Sequence, residues 1–230
     1  MPSLREKVAL ASRILAAHGH DDLIWGHASC RDPDGRGAWL KSATWGLAEV
    51  TAERVHLVSG AGDVLEGAGP RHSEYPIHTE IYAARSDVGG VVHTHPPYPI
   101  GLAASGQRLR PLSHAATMFV PPDVPVFTST SDLILTAELG KEVAGVLGGA
   151  RAAFLVNHGI VTVGPTLEAA TVAAVLLERA CRQQLVTASF GGWASWTDDE
   201  EARRKRRHMV SDQTISAVWD YLVRSLEEMT

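Results

Sequence analysis

The pattern of apolar and polar positions along the chain predicts several helices. A capping box, Ser3-Leu4-Arg5-Glu6, precedes apolar residues spaced three or four apart, which indicates an N-terminal helix that Gly19 ends. The same spacing predicts further helices at these places: from about Glu74, after Pro97, from Leu139 to Leu147, from Thr166 to about Ala188, and from about 198 to 229.

Short apolar runs bounded by turn-forming residues predict strands between these helices. Residues 23–64 show short runs separated by turn formers such as Asp32-Pro33-Asp34-Gly35. Later runs predict strands at Val91-Val92-His93-Thr94-His95, at Val124 to Phe127, and from Ala152 through His158 to Val163. With no repeat and no linker, residues 1–230 are predicted to form one α/β domain, in which helices flank a mostly antiparallel sheet.

Composition narrows the class of protein without indicating an activity. Hydrophobic residues make up 45% of the chain and charged residues 20%, which is typical of a folded protein. The net charge of −5 gives no reason to expect nucleic-acid binding, and no apolar stretch is long enough to span a bilayer. Two cysteines and a polar N-terminus without a signal-peptide core lead us to expect a cytoplasmic protein.

One basic run, Arg203-Arg204-Lys205-Arg206-Arg207, has the form of a polybasic signal. Five consecutive residues spread around the circumference of a helix, and four acidic residues precede them. We therefore expect a solvated or intersubunit charged face here, and neither a nucleic-acid nor a membrane partner.

Histidines at the ends of two predicted strands indicate a metal site. His93 and His95 alternate along a strand, so their side chains lie on one face, and His158 closes a second apolar run. Three imidazoles that converge suit a divalent transition metal with a replaceable position. Three unrelated core or surface histidines are the alternative interpretation.

A carboxylate upstream, Glu74, completes this candidate site. It has two candidate roles, as a metal ligand at rest and as the group that transfers protons once substrate displaces it. An interaction with the dipole of the helix that begins there is an alternative, and is compatible with either role.

These residues carry a resemblance to a known superfamily over about residues 4 to 190. The chain resembles the class II aldolases, the group that includes fuculose-phosphate aldolase, ribulose-phosphate 4-epimerase and the adducin head. The motifs that match in order and spacing are Gly26-His27-Ala28-Ser29, His72-Ser73-Glu74, His78-Thr79-Glu80-Ile81-Tyr82, His93-Thr94-His95-Pro96 and Asn157-His158-Gly159.

The resemblance implies a three-layer α/β/α fold with a mainly antiparallel central sheet. It also implies a homotetramer with active sites at subunit interfaces, and one divalent ion per subunit, Zn²⁺ or Mn²⁺, held by His93, His95 and His158. Glu74 is then the acid/base, in chemistry that proceeds through a metal-stabilised enolate. Adducin heads keep this fold without the enzymatic residues. The presence of those residues in this chain therefore favours an enzyme.

The chain departs from the sugar-phosphate aldolases where those enzymes hold phosphate. The Gly-Asn pair is replaced by Gly26-His27, the Ser-Ser pair by His72-Ser73, and the phosphate turn reads Ser42-Ala43-Thr44-Trp45-Gly46. Two imidazoles and an indole suit a carboxylated, flatter substrate better than a phosphate ester.

The candidate substrate-binding residues follow from these departures. We expect His27, His72 and Arg31 to bind a carboxylate and Trp45 to stack on a ring or conjugated chain. Ser42 and Ser73 are further candidates for substrate binding. Ordinary surface packing is the alternative for these residues.

The segment from Gly26 to Pro33 resembles the decarboxylase branch of the superfamily, which acts on dihydroxyphthalate-type acids and carboxymuconate semialdehydes. His114 lies near a position where the aldolases place a tyrosine, which makes it a candidate second acid/base group or an ordinary loop histidine. The leading prediction is a metal-dependent decarboxylase. The alternatives are an aldolase for a non-phosphorylated or acidic aldol and a non-catalytic, adducin-like interaction domain.

Overall fold

The computed structural model describes residues 2–228, and within them the strands form one eight-stranded sheet. The strands, in chain order, are β1 His27–Arg31, β2 Ala38–Lys41, β3 Val55–Val58, β4 Val64–Glu66, β5 Gly90–Thr94, β6 Val126–Phe127, β7 Ala152–Leu155 and β8 Gly159–Gly164. Their order across the sheet is β4-β3-β2-β1-β5-β8-β7-β6.

Neighbouring strands are antiparallel except for β6 and β7, which run parallel. This confirms the predicted mainly antiparallel sheet. The sheet also places the candidate residues: β1 and β8 both pair with β5, and His27 of β1 lies directly opposite His93 of β5.

Helices cover both faces of the sheet. They are α1 Leu4–Leu15, α2 Tyr75–Ala84, α3 Pro97–Ala104, α4 Ala137–Leu147, α5 Leu167–Ser189, α6 Asp199–Met209 and α7 Asp212–Glu227. None of the helices in the described part of the chain has the length and apolar character to cross a bilayer.

The two faces are buried by different helices because successive strand residues point in opposite directions. Val92 belongs to the core beneath α1, α3 and α5, and its neighbour Val91 belongs to the core beneath α2 and α4. The result is the three-layer α/β/α arrangement that the resemblance implies.

Several predicted helix ends are confirmed. Ser3 and Glu6 form the capping box of α1, Thr166 caps α5, and α4 ends at Gly148. The helix predicted near Glu74 begins at Tyr75, with Glu74 at the cap position and a proline in the first turn.

The prediction of a single C-terminal helix over 198–229 is wrong. The chain breaks at Val210 and Ser211, where the Ser211 hydroxyl accepts a hydrogen bond from the backbone N–H of Thr214 and starts α7. Residue 229 lies outside the described residues. In the basic run, Arg206 is half-buried and donates to the carbonyls of Thr117 and Pro121, whereas Arg203, Arg204 and Arg207 are exposed.

Candidate active site

Four side chains from separate elements converge at one edge of the sheet. His93 lies one residue before the end of β5, His95 directly follows the strand, His158 lies in the turn between β7 and β8, and Glu74 precedes α2. One ligand atom from each lies within 4.8 Å of the others. The structure thus brings together the four residues proposed from the sequence.

The hydrogen bonds of His93 and His95 fix which ring nitrogen carries the proton. Nδ1 of His93 donates to the carbonyl of Ile160 at 2.9 Å, and Nδ1 of His95 donates to the carboxylate of Asp22 at 2.8 Å. A neutral imidazole has one N–H, so both Nε2 atoms carry lone pairs, and they lie 3.1 Å apart. Two nitrogen lone pairs directed at each other in this way suit a metal ion held between them.

His95 is neutral at ordinary pH. Burial, followed by the neighbouring His93, lowers its pKa to about 4 despite the hydrogen bond to Asp22. A neutral imidazole is the form that binds a metal ion.

His158 completes the set of nitrogen donors. Within residues 2–228, neither of its ring nitrogens has a hydrogen-bond partner, although both are buried. Asn157, with φ of 55°, turns the chain sharply at this point and directs His158 toward the other histidines. The prediction that one extended run continues through His158 is wrong, because residues 156–158 form the turn that separates β7 from β8.

Glu74 contacts this cluster through both carboxylate oxygens. Its Oε2 lies 3.7 Å from Nε2 of His93, and its Oε1 lies 3.5 Å from Nε2 of His158. Oε1 also accepts a hydrogen bond from the backbone N–H of Ile134 at 2.8 Å. Burial alone raises the pKa of Glu74, but the contacts with His158, His93 and Ile134 outweigh it and hold that pKa below its ordinary value.

Glu74 is therefore a carboxylate in this state. Three imidazole nitrogens and one carboxylate oxygen form a donor set that fits a divalent transition metal.

A second cluster of buried polar side chains adjoins these four residues. The ring of His27 lies 3.9 Å from that of His72 and 5.0 Å from that of His93, measured between ring centroids. Three atoms here are buried and unpartnered within residues 2–228: Nε2 of His27, Nδ1 of His72 and Oγ of Ser42. Buried polar atoms without protein partners are available to hydrogen-bond a ligand or a water molecule.

Lys41 supplies a positive charge beside this cluster of His27, His72 and Ser42. Its side chain is fully buried, and its ammonium donates to the carbonyls of Ile24 and Ser42 at 3.0 and 3.3 Å. Within residues 2–228 no carboxylate forms an ion pair with it. Burial lowers the pKa of Lys41 to about 8, so it stays mainly protonated at neutral pH.

The imidazoles beside Lys41 are neutral. Burial, followed by Lys41, lowers the pKa of His72 to about 3, and burial holds the pKa of His27 well below its ordinary value. Lys41 is thus the positively charged member of this cluster.

Below His27, hydrogen bonds link four buried side chains. Nδ1 of His27 lies 2.5 Å from Nε2 of His78, and Nδ1 of His78 lies 2.6 Å from Oγ of Ser29. Ser29 Oγ lies 2.9 Å from the hydroxyl of Tyr82, which donates to the Ser29 carbonyl at 3.0 Å.

An open pocket of about 620 Å³ gives access to the metal ligands from solvent. Its lining includes His95 and His158 together with the apolar side chains of Trp25, Ile100 and Leu133. The apolar part of this lining suits a flat, partly apolar molecule beside the polar part.

The structure does not bring Arg31 to the site. Arg31 lies at the opposite end of β1 from His27, and its guanidinium donates to the backbone carbonyls of Val88, Tyr82 and Arg85. Those bonds fix the end of α2 against the sheet, so we correct the prediction and leave Arg31 out of the substrate site.

Three other candidates stay predictions. Trp45 is half-buried, and the Arg54 guanidinium lies 3.3 Å from its ring centroid, so that face is covered. Ser73 is exposed beside His72, and His114 is exposed just before a short helical turn at Ala116–Met118.

Sequence reasoning missed Asp22, Lys41, and the role of His78. Strand alternation offered a signal for Lys41, which shares a strand face with the buried Trp39. The spacing of Glu74, His78 and Tyr82, four residues apart along α2, was a signal for one functional helix face. Asp22 lies in a turn, where no periodicity operates.

Comparisons with known proteins agree with this geometry. The family described as "Class II Aldolase and Adducin N-terminal domain" matches residues 6–185. A solved structure of an L-fuculose 1-phosphate aldolase from Glaciozyma antarctica superposes with a TM-score of 0.86 at 25% identity, covering 98% of this chain and 89% of that one.

Two curated relatives are similar in sequence. A 3,4-dihydroxyphthalate decarboxylase from Arthrobacter keyseri is 30% identical over 208 residues, 82% of this chain and 80% of its own length. A 4-hydroxy-3-prenylphenylpyruvate oxygenase/4-hydroxy-3-prenylbenzoate synthase from Streptomyces roseochromogenus is 32% identical over 193 residues, 82% of this chain and 69% of its own length. The names of these relatives state different reactions.

Proposed function

The chain belongs to the class II aldolase and adducin N-terminal domain family, and on this premise we propose that it is a divalent-metal-dependent carbon–carbon lyase. The reaction we propose is decarboxylation of a hydroxylated aromatic or conjugated carboxylic acid. The observation that carries the proposal is the pair of Nε2 lone pairs of His93 and His95, 3.1 Å apart, beside Glu74 and His158.

The residues that would hold the ion are His93, His95 and His158, with Glu74 as the ligand that substrate replaces. A divalent cation in this position, for which we propose Zn²⁺ or Mn²⁺, supplies Lewis acidity that stabilises negative charge developing on a substrate oxygen.

Lys41 and the unpartnered atoms beside it support an anionic substrate. The ammonium of Lys41 is buried without a carboxylate partner, and Ser42 Oγ and His72 Nδ1 are buried without hydrogen bonds within residues 2–228. A carboxylate provides both the negative charge and the hydrogen-bond acceptors that such a pocket lacks. We therefore propose that a substrate carboxylate lies among these three residues.

Glu74 has the position and the ionisation state for proton transfer. As a carboxylate, it takes the proton of a substrate hydroxyl when substrate displaces it from His93 and His158. Once those contacts are lost, burial raises its pKa and makes it an acid. The C–C bond to the carboxylate breaks and carbon dioxide leaves, while the electron pair of that bond takes the proton of Glu74 to form a C–H bond. The product oxygen then regains a proton from solvent.

The assembly we propose is a homotetramer with active sites at subunit interfaces. Leu23, Ile24 and Trp25, beside the mouth of the site, are 71%, 44% and 47% exposed. Apolar side chains grouped in this way support a contact with another subunit.

An aldolase acting on a non-phosphorylated or acidic aldol is the second candidate, supported by the similarity to the fuculose-phosphate aldolase structure. It needs the same ligands and the same acid/base, but the departing group is an aldehyde. An adducin-like interaction domain is the third candidate, and it requires none of the metal ligands.

Product analysis under anaerobic conditions tests the proposal. The metal-loaded protein is incubated with 3,4-dihydroxyphthalate, with carboxymuconate semialdehydes and with a non-phosphorylated acidic aldol, and the release of carbon dioxide and of aldehyde is measured with and without oxygen. We expect carbon dioxide in both atmospheres. Aldehyde alone from an aldol substrate, carbon dioxide only in oxygen, or no turnover of any substrate would each contradict decarboxylation.

A further inference from the structure

His27 and the three buried side chains hydrogen-bonded in series to it, those of His78, Ser29 and Tyr82, share a fixed number of protons. This number decides which nitrogen of His27 has no hydrogen. The hydroxyl of Tyr82 has one hydrogen, which it donates to the Ser29 carbonyl at 3.0 Å. The 2.9 Å contact between Ser29 Oγ and the Tyr82 oxygen is then a hydrogen bond in which Ser29 donates. The single proton of Ser29 is thereby used.

The two histidines complete the chain. Because Ser29 Oγ has no hydrogen left, its 2.6 Å contact with Nδ1 of His78 requires His78 to donate. Neutral His78 then has a lone pair on Nε2, so the 2.5 Å contact with His27 requires Nδ1 of His27 to donate. In the opposite order Ser29 donates to His78. The single hydrogen of the Tyr82 hydroxyl would then have to serve both Ser29 Oγ and the Ser29 carbonyl.

This order of protons leaves Nε2 of His27 without a hydrogen. That atom is buried and has no partner within residues 2–228, and the His27 ring lies beside those of His72 and His93. A bare nitrogen accepts hydrogen bonds and repels a carboxylate, which is also an acceptor.

We propose that Nε2 of His27 accepts a hydrogen bond from a substrate hydroxyl. His78, Ser29 and Tyr82 are positioning residues that hold His27 in the tautomer with the hydrogen on Nδ1. The identity of the ligand rests on the proposed function, whereas the tautomer does not. The prediction that His27 binds a carboxylate is replaced by this one, and the carboxylate stays with Lys41, His72 and Ser42.

The hydroxyl in question differs from the one whose proton Glu74 takes. A substrate that satisfies both groups carries two hydroxyls near each other and a carboxylate beside them. The site therefore selects a vicinal dihydroxy acid over its monohydroxy counterpart, because a missing hydroxyl leaves a buried acceptor unpaired. That loss costs about tenfold in affinity.

Histidine tautomers are measured directly by long-range proton–nitrogen NMR of the zinc-loaded protein with ¹⁵N-labelled histidine. The resonances of His27 are assigned by their absence in His27→Gln. We expect a protonated Nδ1 and an unprotonated Nε2 for His27, and the same tautomer for His78. A protonated Nε2 on His27 would overturn the proposal whether or not the protein decarboxylates any acid.

A substitution at Tyr82, the far end of this series of hydrogen bonds, is expected to reverse the tautomer of His27. Tyr82→Phe removes the acceptor that holds the Ser29 proton, so Ser29 donates to His78, His78 donates to His27, and Nε2 of His27 gains a hydrogen. Tyr75→Phe, on the same helix, is the matched control, because the Tyr75 hydroxyl bonds only to the carbonyl of Ala61 among described residues. Unchanged His27 resonances in a folded Tyr82→Phe protein would contradict the positioning role of Tyr82.

Binding of catechol and of benzoate tests whether His27 contacts a hydroxyl or a carboxylate. With wild-type protein we expect catechol to shift the His27 Nε2 resonance and to bind about tenfold more weakly to Tyr82→Phe. Benzoate is expected to leave that resonance in place in the wild type. A shift with benzoate but not with catechol would assign His27 to the carboxylate and reject the hydroxyl role. If the tautomer and the catechol shift hold while carbon dioxide is never released, the proposed reaction fails and the assignment of His27 stands.

Discussion

The carboxylate of Asp22 lies 2.8 Å from Nδ1 of His95, and this hydrogen bond turns Nε2 of His95 toward His93. A carboxylate in this position fixes the ring orientation and increases the basicity of the nitrogen that faces the metal. Asp22 is a half-exposed residue of a turn, yet it acts on the centre of the site through His95.

Replacing Asp22 with alanine is expected to weaken metal binding by about 10- to 100-fold, the range typical of such supporting partners. Competition with a chromogenic chelator measures the change. Asp21→Ala, at the exposed neighbouring position, is the control and should bind metal like the wild type. Equal affinities of the two variants would show that Asp22 does not support His95.

Replacing Lys41 with methionine separates ligand binding from stability. The charge that attracts the substrate carboxylate is lost, so we expect about tenfold weaker binding of a carboxylate ligand, measured by calorimetry. Removal of the buried cation stabilises the unliganded protein, and the loss of a donor to two carbonyls offsets part of this gain. We expect the free energy of unfolding to rise by about 1–2 kcal/mol at pH 7. Lys141→Met, at an exposed position, should change neither quantity.

The same lysine predicts how stability depends on pH. Its pKa is lowered from 10.5 to about 8 in the folded protein, so above pH 8 the unfolded state binds more protons than the folded state. The free energy of unfolding due to this group therefore rises as the pH increases from 8 toward 10.5. Denaturant titrations should show this rise in the wild type and not in Lys41→Met. An equal slope in both proteins would contradict the burial of this charge.

The backbone at Gly159 approaches the metal ligands closely. A Cβ at this position would lie 2.5 Å from the carbonyl oxygen of Thr94 and 2.7 Å from Cδ2 of His95. Gly159→Ala is thus expected to displace His95 and to reduce bound metal, as measured by elemental analysis of the folded protein. Gly149→Ala, where nothing lies within 4 Å of the added carbon, is the control. Retention of metal in Gly159→Ala would show that the close approach has no bearing on the site.

Glu74→Gln tests the acid/base role. Glutamine keeps an oxygen that accepts from the N–H of Ile134, so we expect the fold and most of the bound metal to persist. Turnover should fall by about 10²- to 10⁴-fold, the usual contribution of a general acid or base. Glu138→Gln, at an exposed position of α4, serves as the control. A rate near that of wild type would assign proton transfer to another group.

The convergence of the candidate metal ligands and most helix ends were predictable because each depends on local pattern. Alternation puts His93 and His95 on one face, and the caps at Ser3 and Thr166 act within one helical turn. The convergence with His158 needed only that β5 and β8 be neighbours.

The residues that were missed, or assigned differently, depend on contacts between distant segments. Asp22 meets His95 across 73 positions of the chain, and His27 meets His78 across 51. Arg31 carries the type of charge expected at a carboxylate site, but its direction along β1 takes it to the carbonyls at the end of α2. Only the fold determines which of these polar side chains face the site.

The central claim is that one shared cation joins the three imidazoles and Glu74, and the metal content of His93→Ala tests it most directly. His208→Ala, at an exposed position of α6, is the matched control. We predict one divalent ion per subunit in the wild type and in His208→Ala, and loss of that ion together with activity in a folded His93→Ala protein. Full metal occupancy in His93→Ala would contradict the account.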